Sequence, residues 1–141
     1  MHYFYIEPEV AGGEGPNSIM DRSVHPPVVR HLHYEFAGWL GDVLLEGFPA
    51  FIVTEEAKNK LMESHATGAR YANVEITTTY PFDELYPGRQ LPKFIWLQIT
   101  GRAGRDDFGL AADLRLVLSE RTLDILKGLQ LNHAVIEPFD N

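Results

Sequence analysis

Cysteine is absent from the 141 residues, so neither disulfide cross-links nor thiolate chemistry can contribute to fold or function. That absence suits a reducing compartment. No stretch approaches the roughly 18 consecutive apolar residues of a membrane-spanning helix. The stretch Met1-His-Tyr-Phe-Tyr-Ile-Glu-Pro8 lacks the basic start and long apolar core of a secretory signal. The expectation is a soluble, cytoplasmic protein.

Basic residues are scarce: 12 Lys and Arg stand against 20 Asp and Glu, for a net charge of −8. Most of the imbalance lies in residues 1–57, where Glu7, Glu9, Glu14, Asp21, Glu35, Asp42, Glu46, Glu55 and Glu56 meet only Arg22 and Arg30. This distribution argues against nucleic acid as a direct partner, because neutralising phosphates needs a basic face. It permits a basic protein partner, steered by the complementary field. Ordinary solubilising charge would look the same. Catalytic signatures are missing as well. There is no Gly-x-Ser-x-Gly elbow, His-Glu-x-x-His pair, Walker loop or Rossmann fingerprint. Asp107-Phe-Gly109 spells the magnesium motif of protein kinases, but the chain is too short for a kinase and has no His-Arg-Asp loop. The glycines of Ala11-Gly-Gly-Glu-Gly-Pro-Asn17 lack the lysine and the following helix of a phosphate cradle; by composition the stretch is a loop.

What is present suits one packed domain over residues 1–141: 45% apolar residues, with 8 Phe, 6 Tyr and 2 Trp. Two stretches repeat one pattern. Phe51-Ile-Val-Thr-Glu-Glu-Ala and Leu116-Val-Leu-Ser-Glu-Arg-Thr each run from an apolar strand through a hydroxyl to a glutamate and an amphipathic segment. A shift of about 65 positions sets Thr54 on Ser119, Leu61 on Leu126 and Ala69 on Ala134. Each hydroxyl is predicted to cap a helix by accepting from an unpaired N–H of the first turn. The first helix, about 55–65, has only Ala57, Leu61 and Met62 as an apolar stripe, so a surface position is expected, with Gly68 as its stop signal. The second, about 120–129, is better formed, with Thr122, Ile125, Leu126 and Leu129 on one face. Strands are predicted at Tyr3–Ile6, His31–Phe36, Arg70–Thr79, Lys93–Ile99 and Ala134–Ile136. Lys93–Ile99 is apolar enough to be central. Pro81 to Pro92 reads as the longest irregular stretch. The fold class that follows is α+β: a mixed, mostly antiparallel sheet, two strand–cap–helix units and few helices.

Three candidate sites emerge. Alternation places His31, His33 and Glu35 on one strand face, the only metal-like spacing in the chain. A small metal-dependent hydrolase using that face is the alternative function; an ordinary solvent face is the plain one. The second candidate is the acidic set of Glu7, Glu9, Glu14, Asp21, Glu35, Asp42 and Glu46, with Tyr3, Tyr5 or Trp39 as anchors if exposed. The third is the aromatic loop carrying Tyr80, Phe82, Tyr86 and Arg89, residue types enriched at interface hot spots.

Asp42-Val-Leu-Leu, Phe51-Ile-Val-Thr-Glu-Glu-Ala with Leu61, Thr67-Gly-Ala, Leu91-Pro-Lys-Phe, Asp106-Asp-Phe-Gly and Leu116-Val-Leu-Ser-Glu-Arg with Leu123 and Leu126 together carry a family likeness. Over roughly residues 40–137 the chain resembles an immunity-protein family, the eleventh in the usual numbering, of bacterial polymorphic toxin systems. The resemblance implies a non-catalytic cytoplasmic protein without a cofactor, which binds and neutralises a cognate protein toxin, often a nuclease. It transfers no functional residues. A toxin acting on nucleic acid is expected to be basic, which makes the acidic set and Tyr86 with Arg89 the expected contacts.

Overall fold

The repeat in the sequence is also a repeat in space. The computed structural model describes residues 2–140. Its first elements are β1 (Tyr3–Glu7), β2 (Gly12–Glu14), β3 (Ile19–Asp21), β4 (Val28–His31), β5 (His33–Phe36), β6 (Leu44–Gly47) and β7 (Ala50–Thr54). Helix α1 (Glu55–Glu63), β8 (Ala69–Ala72), β9 (Glu75–Thr78), α2 (Tyr80–Leu85) and β10 (Phe94–Ile99) follow. Then come β11 (Phe108–Leu110), β12 (Leu116–Ser119), α3 (Glu120–Leu129) and β13 (Val135–Pro138). The fold is α+β. Among the described residues, all paired strands are antiparallel except β5 and β9, which are parallel. They form several sheets where one mixed sheet was expected. A central sheet runs β6-β7-β10-β8, an outer sheet β11-β12-β1-β13 and a third sheet β2-β5-β9, with β3 and β4 as a separate ribbon.

Both predicted caps are made. The Thr54 hydroxyl accepts from Ala57 N–H at 3.2 Å and that of Ser119 from Thr122 N–H at 3.4 Å. The two cap residues share one backbone conformation, φ −66° and ψ 155° against φ −67° and ψ 156°. Strand register repeats too. Phe94 faces Thr54 as Tyr3 faces Ser119, and Leu97 faces Tyr71 as Ile6 faces Ile136. The inner strands are exchanged: β10 pairs with β7 and β8 of the first unit, while β1 pairs with β12 and β13 of the second. The outer sheet is thus completed by a strand from far along the chain, whereas the central sheet draws all its strands from residues 44–99.

The central sheet is buried on both faces, which is why β7 and β10 read as near-continuous apolar runs. Phe51, Val53, Ile95 and Leu97 pack toward the helices and outer sheet, with Leu61, Leu118 and Leu126. Ile52 and Phe94 point the other way, into a second cluster with Leu32, Tyr34, Phe36 and Phe82. Among the described residues, no helix is long and apolar enough to cross a membrane.

Several expectations need correction. Gly12–Glu14 is a strand, because β5 supplies the pairing that its composition hides. Residues 70–79 form two strands in different sheets, and Leu32 interrupts the 31–36 strand. Residues 80–85 are helical: the Thr79 hydroxyl caps Phe82 N–H at 3.1 Å, and Pro81 sits where the first turn has no partner for an N–H. Helix α1 packs on α3, with Ala57 and Leu61 fully buried, whereas Met62 is exposed. It ends at Ser64, with His65 in the left-handed conformation (φ 56°). Ala66 N–H donates to Leu61 O and His65 N–H to Met62 O, a Schellman closure in which His stands where Gly is usual. Gly68 (φ +88°) serves another end: a Cβ there would lie 2.3 Å from Phe108 O.

Candidate functional site

The acidic residues divide sharply by burial. Asp42 is fully buried. Its carboxylate accepts from Asn132 N–H at 2.9 Å and His133 N–H at 2.8 Å, clasping the loop after α3. Asp107, one repeat later, does the reciprocal job. It accepts from Thr67 N–H at 2.9 Å in the loop after α1, from the Ser119 hydroxyl at 2.7 Å, and from Arg121 through Nε (3.0 Å) and Nη2 (2.7 Å). Burial pushes the Asp107 carboxyl up, but the Arg121, Ser119 and Thr67 bonds outweigh it and hold the group well below the carboxylate range. Asp42 is therefore a structural clasp and is removed from the contact set. Glu9 is also buried, its carboxylate accepting from Leu40 N–H at 2.7 Å. Asp21 bonds its own turn at Ser23 N–H, 2.9 Å away.

The face with the metal-like spacing does not converge. His33 is buried; its Nδ1 accepts from Asn17 N–H at 3.1 Å, and its Nε2 lies 2.6 Å from the Thr77 hydroxyl. With Nδ1 accepting, the ring proton sits on Nε2 and points at Thr77, whose hydroxyl donates to Glu35 at 3.3 Å. His31, beyond the break at Leu32, pairs instead with Glu75 at 3.0 Å. Both imidazoles are committed to protein partners, and no group of three or more His, Asp or Glu placed to hold a metal ion occurs among the described residues.

The two remaining candidates meet in one cleft of about 560 Å³. Segments 9–14 and 37–40 line it, together with Glu35, Thr79 and Tyr86. Three glutamates, Glu9, Glu14 and Glu35, contribute to the lining, and no lysine or arginine does. Glu14 is paired outward with Arg22. The cleft exists because β2 lies tight against β5. A Cβ on Gly12 would sit 2.0 Å from Glu35 O, so only glycine permits this approach, whereas a Cβ on Gly13 would meet nothing. Beneath it, the Tyr34 hydroxyl accepts from Ala11 N–H at 3.1 Å and donates to Glu46 O at 3.0 Å, joining β2's entry to β6. Burial pushes the Tyr34 phenol up to about 12.

Two exposed apolar side chains line the cleft, Val10 at 68% and Leu40 at 61%. Neither carries a sequence signal, since a lone aliphatic residue in a loop is unremarkable without its neighbours. Across the cleft stand Trp39 and Tyr86, with the Arg89 guanidinium carbon 5.0 Å from each ring centroid. Trp39 is fixed by its indole N–H, which donates to Asp42 O at 3.0 Å, and by an edge contact with Phe94 at 5.8 Å. The other anchors are engaged elsewhere: Tyr3 donates to Arg105 O at 3.0 Å, and Arg115 covers the Tyr5 ring at 3.7 Å. Glu7 and Glu46 form a separate acidic pair. Burial pushes the Glu46 carboxyl up, and the Glu7 charge adds to the shift. The structure thus brings Glu9, Glu14, Glu35 and Tyr86 to one cleft with Arg89 at its mouth, and places Glu7, Glu46, Asp21 and Asp42 outside its lining.

The chain matches no protein-family model and no curated protein, so the likeness to immunity proteins rests on the residues that carry it.

Proposed function

We propose that the protein neutralises a basic protein toxin in the cytoplasm by stoichiometric binding, with the cleft rim as its contact face. It acts without catalysis or a cofactor and does not bind nucleic acid itself. The observation that supports this reading is the coincidence of three features in one place. The cleft carries carboxylates without a lining cation, exposed aliphatic side chains and a fixed aromatic wall. Apolar and aromatic anchors ringed by charge are what tight protein contacts use, and a negative field speeds encounter with a basic partner.

Where a toxin-like gene adjoins this one, its product is the probe. Affinity is measured at low and high salt for Glu14→Lys, for Glu35→Lys, and for Leu40→Ala with Tyr86→Ala. The charge reversals are expected to slow association and flatten the salt dependence; the double truncation is expected to cost roughly 2 kcal/mol or more. Unchanged affinity and salt slope in all three would remove the cleft as the contact face, and absence of any complex with that product would remove the toxin.

A further inference from the structure

We propose that Trp39 and Tyr86 form a guanidinium site, which Arg89 fills in the free protein and an arginine side chain of the partner takes over on binding. This rests on the cleft being the contact face. The two rings are held by contacts that do not involve Arg89: Trp39 by Asp42 O and Phe94, Tyr86 by ring packing on Phe82 at 5.2 Å. Arg89, in contrast, is exposed, follows Gly88 in an irregular segment, and takes part in none of the ion pairs among the described residues. A rigid aromatic slot therefore holds a cation on a side chain with nothing else to keep it there.

The slot opens onto a cleft whose lining has glutamates and no cation, so a second positive group is attracted to the place where the first one rests. Arginine suits it better than lysine. Its planar group stacks on ring faces and sheds water more readily, while the ammonium is a strongly hydrated point charge. The open wall at Gly13, where a Cβ would meet nothing, leaves room for the incoming chain. Exchanging one guanidinium for another in the same slot costs little in ring contacts.

Because an occupied slot lowers apparent affinity in proportion to its vacancy, emptying it should tighten binding of a competing arginine. Two modest cation–π contacts correspond to roughly nine-tenths occupancy, hence about a tenfold effect. The probe is a short capped peptide containing two arginines, titrated by NMR against the indole N–H of Trp39, with lysine and citrulline versions as controls. Arg89→Ala is expected to bind the arginine peptide about tenfold tighter than the wild type, with Arg89→Met behaving alike. Tyr86→Leu in the Arg89→Ala background should erase the gain, the lysine peptide should bind more weakly, and the citrulline peptide should leave the indole signal unmoved. Equal affinity of wild type and both Arg89 variants, or equal binding of arginine and citrulline peptides, overturns the exchange. If that result coincides with toxin affinity that still falls in Glu14→Lys and Leu40→Ala, the guanidinium site fails while the cleft remains the contact face. If toxin affinity ignores those variants as well, the contact face fails with it.

Discussion

Asp42 and Asp107 show how one residue type at one repeat position can tie two units to each other. Each carboxylate takes backbone N–H groups from the other unit's helix-to-strand loop. Removing such a carboxylate takes a charged acceptor away from those N–H groups, and for Asp107 from the buried Ser119 hydroxyl as well. Asp107→Asn is expected to lower stability by about 3 kcal/mol, the low end for a broken buried pair, because Arg121 stays half in solvent. The folded Asp107 carboxyl is held below its unfolded value of about 3.9. Its contribution is therefore present above that pH and is lost as pH falls toward the folded value. Denaturant titrations between pH 6 and pH 2 should show wild-type stability declining in acid and the Asp107→Asn curve declining less. At the alkaline end the sign reverses. Tyr34, raised to about 12, favours the folded state below about pH 10 and loses that contribution as it ionises. Tyr34→Phe, which leaves Ala11 N–H without its acceptor, is expected to cost about 1–3 kcal/mol and to weaken the decline above pH 10. None of this is legible in a charge count, which gives Asp42 and Glu9 the same weight as exposed Glu7. What separates them is a backbone N–H supplied from far along the chain.

Elements were legible where local chemistry decides them. Thr54 and Ser119 announce their helices, and the apolar density of β10 announces a strand covered on both faces. β2 was not legible, because Gly12 and Gly13 carry no strand preference and only contact with β5 makes them extended. Helix α2 left a signal in Thr79 and Pro81, outweighed by the prolines and glycine that follow. The tightness of β2 on β5 makes Gly12→Ala informative. Its methyl would meet the Glu35 carbonyl at 2.0 Å, so the strand must move. The expected cost is about 1–3 kcal/mol. Hydrogen exchange should show lost protection at Gly15, whose N–H donates to His33 O, while β7 and β10 stay protected. Retained protection at Gly15 would mean that the cleft wall tolerates a side chain.

At the scale of the molecule, the spacing of about 65 positions foretells two equivalent units, and their caps and their pairing with the inner strands agree with it. The exchange of β1 and β10 is invisible in the sequence, because an apolar strand does not encode which of two similar neighbours it will join. The outer sheet closes only through β1, which precedes the first unit in the chain, and Asp42 and Asp107 each reach across to the other unit's loop. Calorimetry should therefore show one cooperative transition, with Asp42→Asn and Asp107→Asn both shifting it to lower temperature. Two resolved transitions, each sensitive to one substitution, would contradict this coupling.

The exchanged strands also impose an order on a chain made from its N-terminus. The central sheet, with all strands between Leu44 and Ile99, can assemble once residue 99 has left the ribosome. β1, made before that sheet, must wait for Ser119 and then for Pro138. Its alternating Phe4 and Ile6 stay uncovered throughout that wait, as an apolar edge open to chance pairing. β1 is made before the strands that complete it and is among the last of these elements to find its place, and the interval before it does is the period in which its apolar edge is open to aggregation.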